Sequence, residues 1–178
     1  MSGSSTAGVD VSALTSTSAW SCLAGNGVSF AVVRGYRSSG SVDPNVCSTL
    51  KNAQAGGIAI RDTYLFPCPT CGTSGGSQIS TMLNYLNTNC KSAWSGRVWL
   101  DIEGTSYWSG SYSSNKAFYQ QMIDYCRSSN LRCGVYASQS QWTALFGSST
   151  YAYGNEYPGK KFLFLFLFLL LLLLLLLL

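Results

Sequence analysis

An α/β fold built on a parallel sheet follows from two features of the chain. Short β-branched and aromatic runs alternate with helix-patterned segments, and Gly, Pro, Asp or Asn punctuates most of the joints between them. At 178 residues, with 47% hydrophobic and only 10% charged, the chain suits one domain around one sizeable core and is far from the composition of a disordered polypeptide.

The elements follow in order. Gly8-Val-Asp-Val-Ser12 reads as a first strand and Ala13–Gly25 as helix-compatible. Ser29-Phe-Ala-Val-Val-Arg-Gly-Tyr36 is a buried strand. Asp43-Pro44 predicts an N-cap with Pro at the first helical position, and Gly56-Gly57 the helix stop. Ile58–Phe66 is a third strand. A Cys/Gly/Ser loop leads to a helix near Ser77–Leu86, with Ile79, Met82, Leu83 and Leu86 on one face. Arg97–Glu103 is the fourth strand, Lys116–Arg127 a helix, Cys133–Ala137 the fifth strand and Gln139–Phe146 a final helix. Five strands alternating with helices imply a parallel sheet, either open or closed into a barrel.

Composition removes several chemistries. There is no histidine, hence no Ser-His-Asp triad, no Cys-His pair and no zinc site of the usual His-containing kind. The net charge is +4, and the Lys and Arg residues are scattered, which leaves no nucleic-acid footprint. Aromatics reach 13%, suited to sugars or other half-apolar ligands. No metal and no cofactor is expected. Of the 7 cysteines, Cys68-Pro69-Thr70-Cys71 forms a CxxC. With no second CxxC and no His, structural disulfides in an oxidising compartment are expected rather than a zinc ribbon, leaving one thiol unpaired.

Acid–base chemistry then falls chiefly to the 7 carboxylates Asp10, Asp43, Asp62, Asp101, Glu103, Asp124 and Glu156. Asp101 and Glu103 lie two apart at the C-terminal end of the fourth strand, on one face with Trp99, about 6–7 Å apart at Cβ. Two carboxyls that close split their pKa values, as a glycosidase needs: one protonated acid for the leaving oxygen and one anion for the developing positive charge. Asp10 ends the first strand in the same manner. Asp62 lies in the third strand with Tyr64 on its face. Asp43 reads as a helix cap and Asp124 as an exposed helical charge; Glu156 is assigned no role.

Gly8-Val-Asp-Val-Ser12, Phe30-Ala-Val-Val-Arg-Gly-Tyr36, Asp62-Thr-Tyr-Leu-Phe-Pro67, Val98-Trp-Leu-Asp-Ile-Glu103 and Gly134-Val-Tyr-Ala-Ser138 together resemble, in order and spacing, the family 25 glycoside hydrolases, the N-acetylmuramidase-type lysozymes. The Cys-containing loop after the third strand is similar to their eukaryotic branch. The resemblance implies an irregular, TIM-barrel-like β/α barrel that cleaves the β-1,4 bond between N-acetylmuramic acid and N-acetylglucosamine in bacterial peptidoglycan. It implies Glu103 as general acid/base, Asp101 orienting the substrate's 2-acetamido group, and Asp10 beside them. Tyr36, Tyr64 and Tyr136 would line the cleft, with Asp62 a further substrate contact. It further implies a secreted or lysosomal/phagosomal, antibacterial monomer. An inactive peptidoglycan-binding relative and a membrane-tethered lysozyme are the alternatives.

Three regions are expected: residues 1–7 as a leader remnant or linker, 8–158 as the hydrolase domain, and 159–178 as a Phe/Leu tail. Residues 1–7 lack the basic and apolar regions of a signal peptide. The family pattern stops near Pro158, so the barrel is expected to be incomplete at its C-terminus. The tract from Phe162 to Leu178 is only Phe and Leu and would reach roughly 25 Å as a helix, the lower limit of a membrane span. It contains no Val, Ile, Ala or Gly, and Gly159-Lys160 can be encoded by a splice-donor sequence. The tail is therefore expected to be translated non-coding sequence, with a membrane anchor as the alternative. Sequencing the mature messenger RNA checks this: the spliced message should join Tyr157-Pro158 to further strand-forming sequence, whereas a message encoding the whole Phe/Leu tract would favour the anchor.

Overall fold

The computed structural model describes residues 7–151 and the backbone of Phe162–Leu163. The expected residue 8–158 domain is thus described to residue 151, and all of the Phe/Leu tail but those two residues lies outside the described residues. The elements are β1 (Ala7–Val11), α1 (Thr17–Gly25), β2 (Val28–Arg37), β3 (Ser41–Val42), α2 (Val46–Ala55), β4 (Ile60–Leu65), α3 (Gly75–Asn89), β5 (Arg97–Asp101), α4 (Tyr112–Ser128), β6 (Arg132–Tyr136), α5 (Gln139–Phe146) and β7 (Phe162–Leu163). Short 3-10 turns occupy Lys91–Ala93 and Thr105–Tyr107.

The sheet runs β1-β2-β4-β5-β6-β7 with parallel neighbours throughout, and β3 folds back antiparallel onto the end of β2. Among the described residues β1 pairs with β2 alone, so that edge of the sheet is open. The five expected strands are all present. The hairpin strand β3 and the two-residue β7 were not expected.

Register sorts the side chains into two layers. Val11, Val33 and Thr63 align with Val98 and Cys133, and Leu65 aligns with Leu100 and Val135. This face meets the helices, and Ala31, Val33, Leu65, Val98 and Leu100 join Leu50, Ile79, Met82, Met122 and Phe146 in one core. The opposite face carries the chemistry. Asp10 aligns with Val32 and Asp62, Arg34 with Tyr64, Trp99 and Gly134, and Asp101 with Tyr136.

Several boundaries differ from expectation for local reasons. Helix α1 begins at Thr17, not Ala13, because Ser16 is extended and its hydroxyl accepts the Ala19 N–H. Helix α2 begins at Val46, two residues later than Pro44 suggests. Asp43 does not cap it: the buried carboxylate accepts Arg34 Nε at 2.7 Å and the Asn45 N–H at 2.9 Å, holding a turn before the helix. Helix α3 starts early, at Gly75-Gly76, residues that read as loop. They are glycines for packing: a Cβ on Gly75 would fall 2.4 Å from Met122 Cγ of α4. Strand β5 ends at Asp101, so Glu103 lies beyond it.

Three disulfides link Cys47–Cys90, Cys68–Cys71 and Cys126–Cys133, and Cys22 is the free, exposed thiol. The CxxC is therefore a disulfide, as the absence of other ligands suggested. Cys47–Cys90 closes a separation of 43 residues and Cys68–Cys71 one of 3. By loop-closure entropy the long link stabilises by about 4 kcal/mol and the short one by about 2 kcal/mol. Replacing Cys47 and Cys90 together by Ala should therefore cost about twice the unfolding free energy, in urea melts, of replacing Cys68 and Cys71, with a higher m-value because the unfolded chain loses its long constraint.

Candidate active site

Asp10, Asp101 and Glu103 come together at the ends of β1 and β5. Beyond β5 the chain continues alongside β6, because the Ile102 N–H donates to the Tyr136 carbonyl at 2.8 Å. Ile102 is fully buried. The turn that follows is fixed from three directions. Trp108 Nε1 donates to the Glu103 carbonyl at 3.0 Å, the Gly104 N–H donates to Gln141 Oε1, and the Tyr107 N–H donates to the Gly104 carbonyl at 2.8 Å. Gly104 has φ +67°, in the left-handed region where a side chain is strained.

The electrostatics define one acidic cluster. Asp101 is 5% exposed, its Oδ1 has no hydrogen-bond partner among the described residues, and burial pushes its pKa well above the ordinary aspartate value. The charges of Glu103 and then Asp10 add to that rise. Glu103 is half-buried and is raised first by burial and then by Asp10. Asp10 is exposed, and partial desolvation raises its carboxyl against a hydrogen bond from its own backbone.

Tyr64 and Tyr136 face the same space. Burial pushes Tyr136 up to about 12, with Glu103, Asp10 and Asp101 contributing. Tyr64 is pushed up strongly, again by burial first, opposed by Arg34 and reinforced by the same three carboxylates. Both phenols therefore stay protonated and can donate hydrogen bonds.

Asp62 lies on this face but is engaged elsewhere. It is 2% exposed and accepts Trp99 Nε1 at 3.1 Å, while Arg97 stacks 5.5 Å over the Trp99 ring. Burial raises Asp62, and the Trp99 bond and the charges of Arg97 and Arg132 oppose the rise. It braces Trp99 from below. Gly134 belongs to the same packing, since a Cβ there would stand 2.6 Å from the Trp99 ring.

Tyr36 is not brought to the cluster. A register shift between Arg34 and Tyr36 pairs Tyr36 with Leu65, which turns it to the helix side. It is 3% exposed in the hydrophobic core, where burial raises its pKa. The residue overlooked in the sequence is Arg34. It bonds Asp43 and, through its terminal nitrogen, the Ser12 carbonyl at 2.7 Å, and it places a positive charge beside Tyr64. A lone arginine inside the β-branched run Val32-Val33-Arg34 was the available signal. Among the described residues, no cluster of three or more His, Cys, Asp or Glu is placed to hold a metal ion.

A parallel β/α fold with carboxyls gathered at the C-terminal ends of its strands has them where β/α-barrel enzymes place their active sites. Comparison with known proteins makes the class specific. Residues 2–157 match the protein family described as Lysozyme-like protein 1. A probable GH family 25 lysozyme 2 of Dictyostelium discoideum is 43% identical over 87% of this chain and 70% of its own length. In structure, the chain is similar to a family 25 glycosyl hydrolase from Bacillus anthracis, with a TM-score of 0.65, 16% identity, and coverage of 91% of this chain and 70% of that one. It is also similar to the bacterial lysozyme of Streptomyces coelicolor, with a TM-score of 0.62, 25% identity, and coverage of 82% and 68%. The chain belongs to the glycoside hydrolase family 25 lysozymes, with their irregular, barrel-like α/β fold.

Burial of Asp101 has a cost that depends on pH. A carboxyl whose folded pKa is raised binds more protons in the folded than in the unfolded state between the two values, so stability falls as pH rises through that interval. Asp101→Asn should therefore raise the melting temperature at pH 7 and give little gain at pH 3, where the native carboxyl is protonated in both states. Thermal melts at the two pH values check this.

Proposed function

We propose that this protein is a lysozyme that hydrolyses the β-1,4 bond between N-acetylmuramic acid and N-acetylglucosamine in bacterial peptidoglycan. The observation that carries the reading is the placement of Asp10 at the end of β1 and of Asp101 and Glu103 at and just beyond the end of β5, at one end of a parallel sheet, close enough that the charges of Glu103 and Asp10 bear on Asp101 and all three bear on Tyr64 and Tyr136. Membership of the family supports it.

In this reading Glu103, held protonated above the ordinary glutamate range, gives its proton to the glycosidic oxygen as the C1–O bond breaks. The carbonyl oxygen of the substrate's own 2-acetamido group closes onto C1, so no protein nucleophile is required. Asp101 accepts the acetamido N–H through a carboxyl oxygen and so orients that group for attack on C1. Water then attacks C1 and reopens the ring, while Glu103 takes the water's proton and the cycle is complete. Asp10 keeps a negative charge near the reacting centre, and the Tyr64 and Tyr136 hydroxyls donate hydrogen bonds to the substrate. Asp62 contributes through Trp99, and Tyr36 through the core. Three disulfides among the described residues favour a secreted or lysosomal/phagosomal setting, with the protein acting as a monomer on the wall.

Dye release from labelled bacterial walls tests the assignment. Glu103→Gln should abolish lysis with the fold intact, and Asp101→Asn should reduce it about 10²–10⁴-fold. Because the acid must carry its proton, activity should decline as pH rises through the raised Glu103 value. Lysis by Glu103→Gln at the wild-type rate would remove Glu103 from this role.

A further inference from the structure

Beside the acidic cluster stands an aromatic pair to which the proposed chemistry assigns nothing. Phe66, in the residues leaving β4, meets Tyr107 edge to face, with ring centroids 5.3 Å apart and planes at 81°. Tyr107 is 49% exposed, one of the few large apolar side chains left open to solvent. The pair is joined to Glu103 by a single residue. A Cβ on Gly104 would lie 2.8 Å from the Tyr107 ring and 3.1 Å from Phe66, so glycine is what lets both rings close over the turn directly after Glu103.

The ledge is rigid on both sides. The Phe66 N–H donates to the Tyr36 carbonyl at 3.1 Å, and two residues on, Cys68 is bound to Cys71 and held at its own N–H and carbonyl by the Gln78 side chain. The β2–β3 turn packs on that disulfide, where a Cβ on Gly40 would lie 2.7 Å from Cys71 Sγ. On the other side, Gln141 of α5 accepts the Gly104 N–H through Oε1, and no bond from its amide nitrogen is found among the described residues. An exposed aromatic ring and a preorganised loop on two successive strand-to-helix connections, with an amide donor from the first turn of α5, match what a pyranose ring presents: an apolar face of axial C–H groups edged by hydroxyls and acetamido groups.

We propose that Tyr107, backed by Phe66, is a sugar-stacking subsite that receives a pyranose ring of the glycan next to the scissile bond. The proposal rests on the lysozyme reading, because it takes the bond that Glu103 protonates as its reference point. A ring stacked there is bound equally before and during bond breaking, so its loss should appear in KM rather than in kcat.

The test uses the full protein with soluble, uncross-linked peptidoglycan strands, both in turnover and in direct binding. Tyr107→Ala should raise KM, and weaken strand binding, about 10-fold, with kcat within about twofold and an unchanged melting temperature. Tyr107→Trp should restore both, as any aromatic face would. Tyr112→Ala, at a residue that is also exposed but packs against Gly147 at the end of α5, should match the wild type. If the wild type turns the strands over and Tyr107→Ala does so with unchanged KM, the subsite is wrong and the lysozyme reading stands. If the wild type binds strands without cleaving them, the lysozyme reading fails and takes the position next to a scissile bond with it; Tyr107-dependent binding then keeps only the stacking of a pyranose ring on Tyr107, and Tyr107-independent binding removes that too. A wild type that neither binds nor cleaves the strands overturns both.

Discussion

In a parallel sheet, sliding one strand by a single residue moves every side chain on it to the opposite face. That constraint is severe here because the two faces are chemically opposed. One carries Val33, Leu65, Val98 and Leu100 against the helices, and the other carries Asp10, Arg34, Asp62, Tyr64 and Asp101. A slipped β5 would put Asp101 into a hydrocarbon layer and Leu100 among carboxyls. The register of each strand is thus specified by the penalty for the wrong one, and the acidic cluster exists because the apolar core does.

The site is then finished by contacts outside the sheet. Glu103 lies past the last residue of β5, and its position depends on the Ile102 and Trp108 hydrogen bonds and on the left-handed glycine after it. Carboxyls crowded together with few partners are poor for stability and useful for chemistry, because proximity and desolvation keep protons on groups that would lose them in water. The disulfides and the aromatic cluster of Tyr119, Trp142 and Phe146 lie outside that crowding and offset it.

The five strands, their alternation with helices and the closeness of Asp101 to Glu103 were legible because each is written locally, in β-branched runs and short spacing, although only Asp101 lies in the strand. What was not legible depends on contact between distant segments. Strict alternation puts Tyr36 on the same face as Arg34, but the position a Gly35 side chain would take is filled by Met82 Sδ, 2.5 Å from the place of its Cβ. The strand shifts register there, and Tyr36 joins the core. Gly75-Gly76 has the composition of a loop, and only the approach of Met122 shows why a helix begins there. Asp43-Pro44 has the composition of a helix start, and only Arg34, nine residues earlier, shows why the carboxylate is used otherwise.

That Arg34–Asp43 contact bears on how the protein can change over generations. The two side chains lie 2.7 Å apart, with Asp43 almost wholly enclosed and Arg34 also holding the Ser12 carbonyl at the exit of β1. Losing Arg34 leaves the Asp43 carboxylate shut in without its counterpart, and losing Asp43 leaves a part-exposed Arg34 with only the Ser12 carbonyl, whereas replacing both with uncharged residues of similar volume does neither. Any lineage moving from this ionic pair to a neutral one must pass through an intermediate worse than either end. The two positions should drift together or hardly at all, even though neither takes part in the chemistry at Glu103.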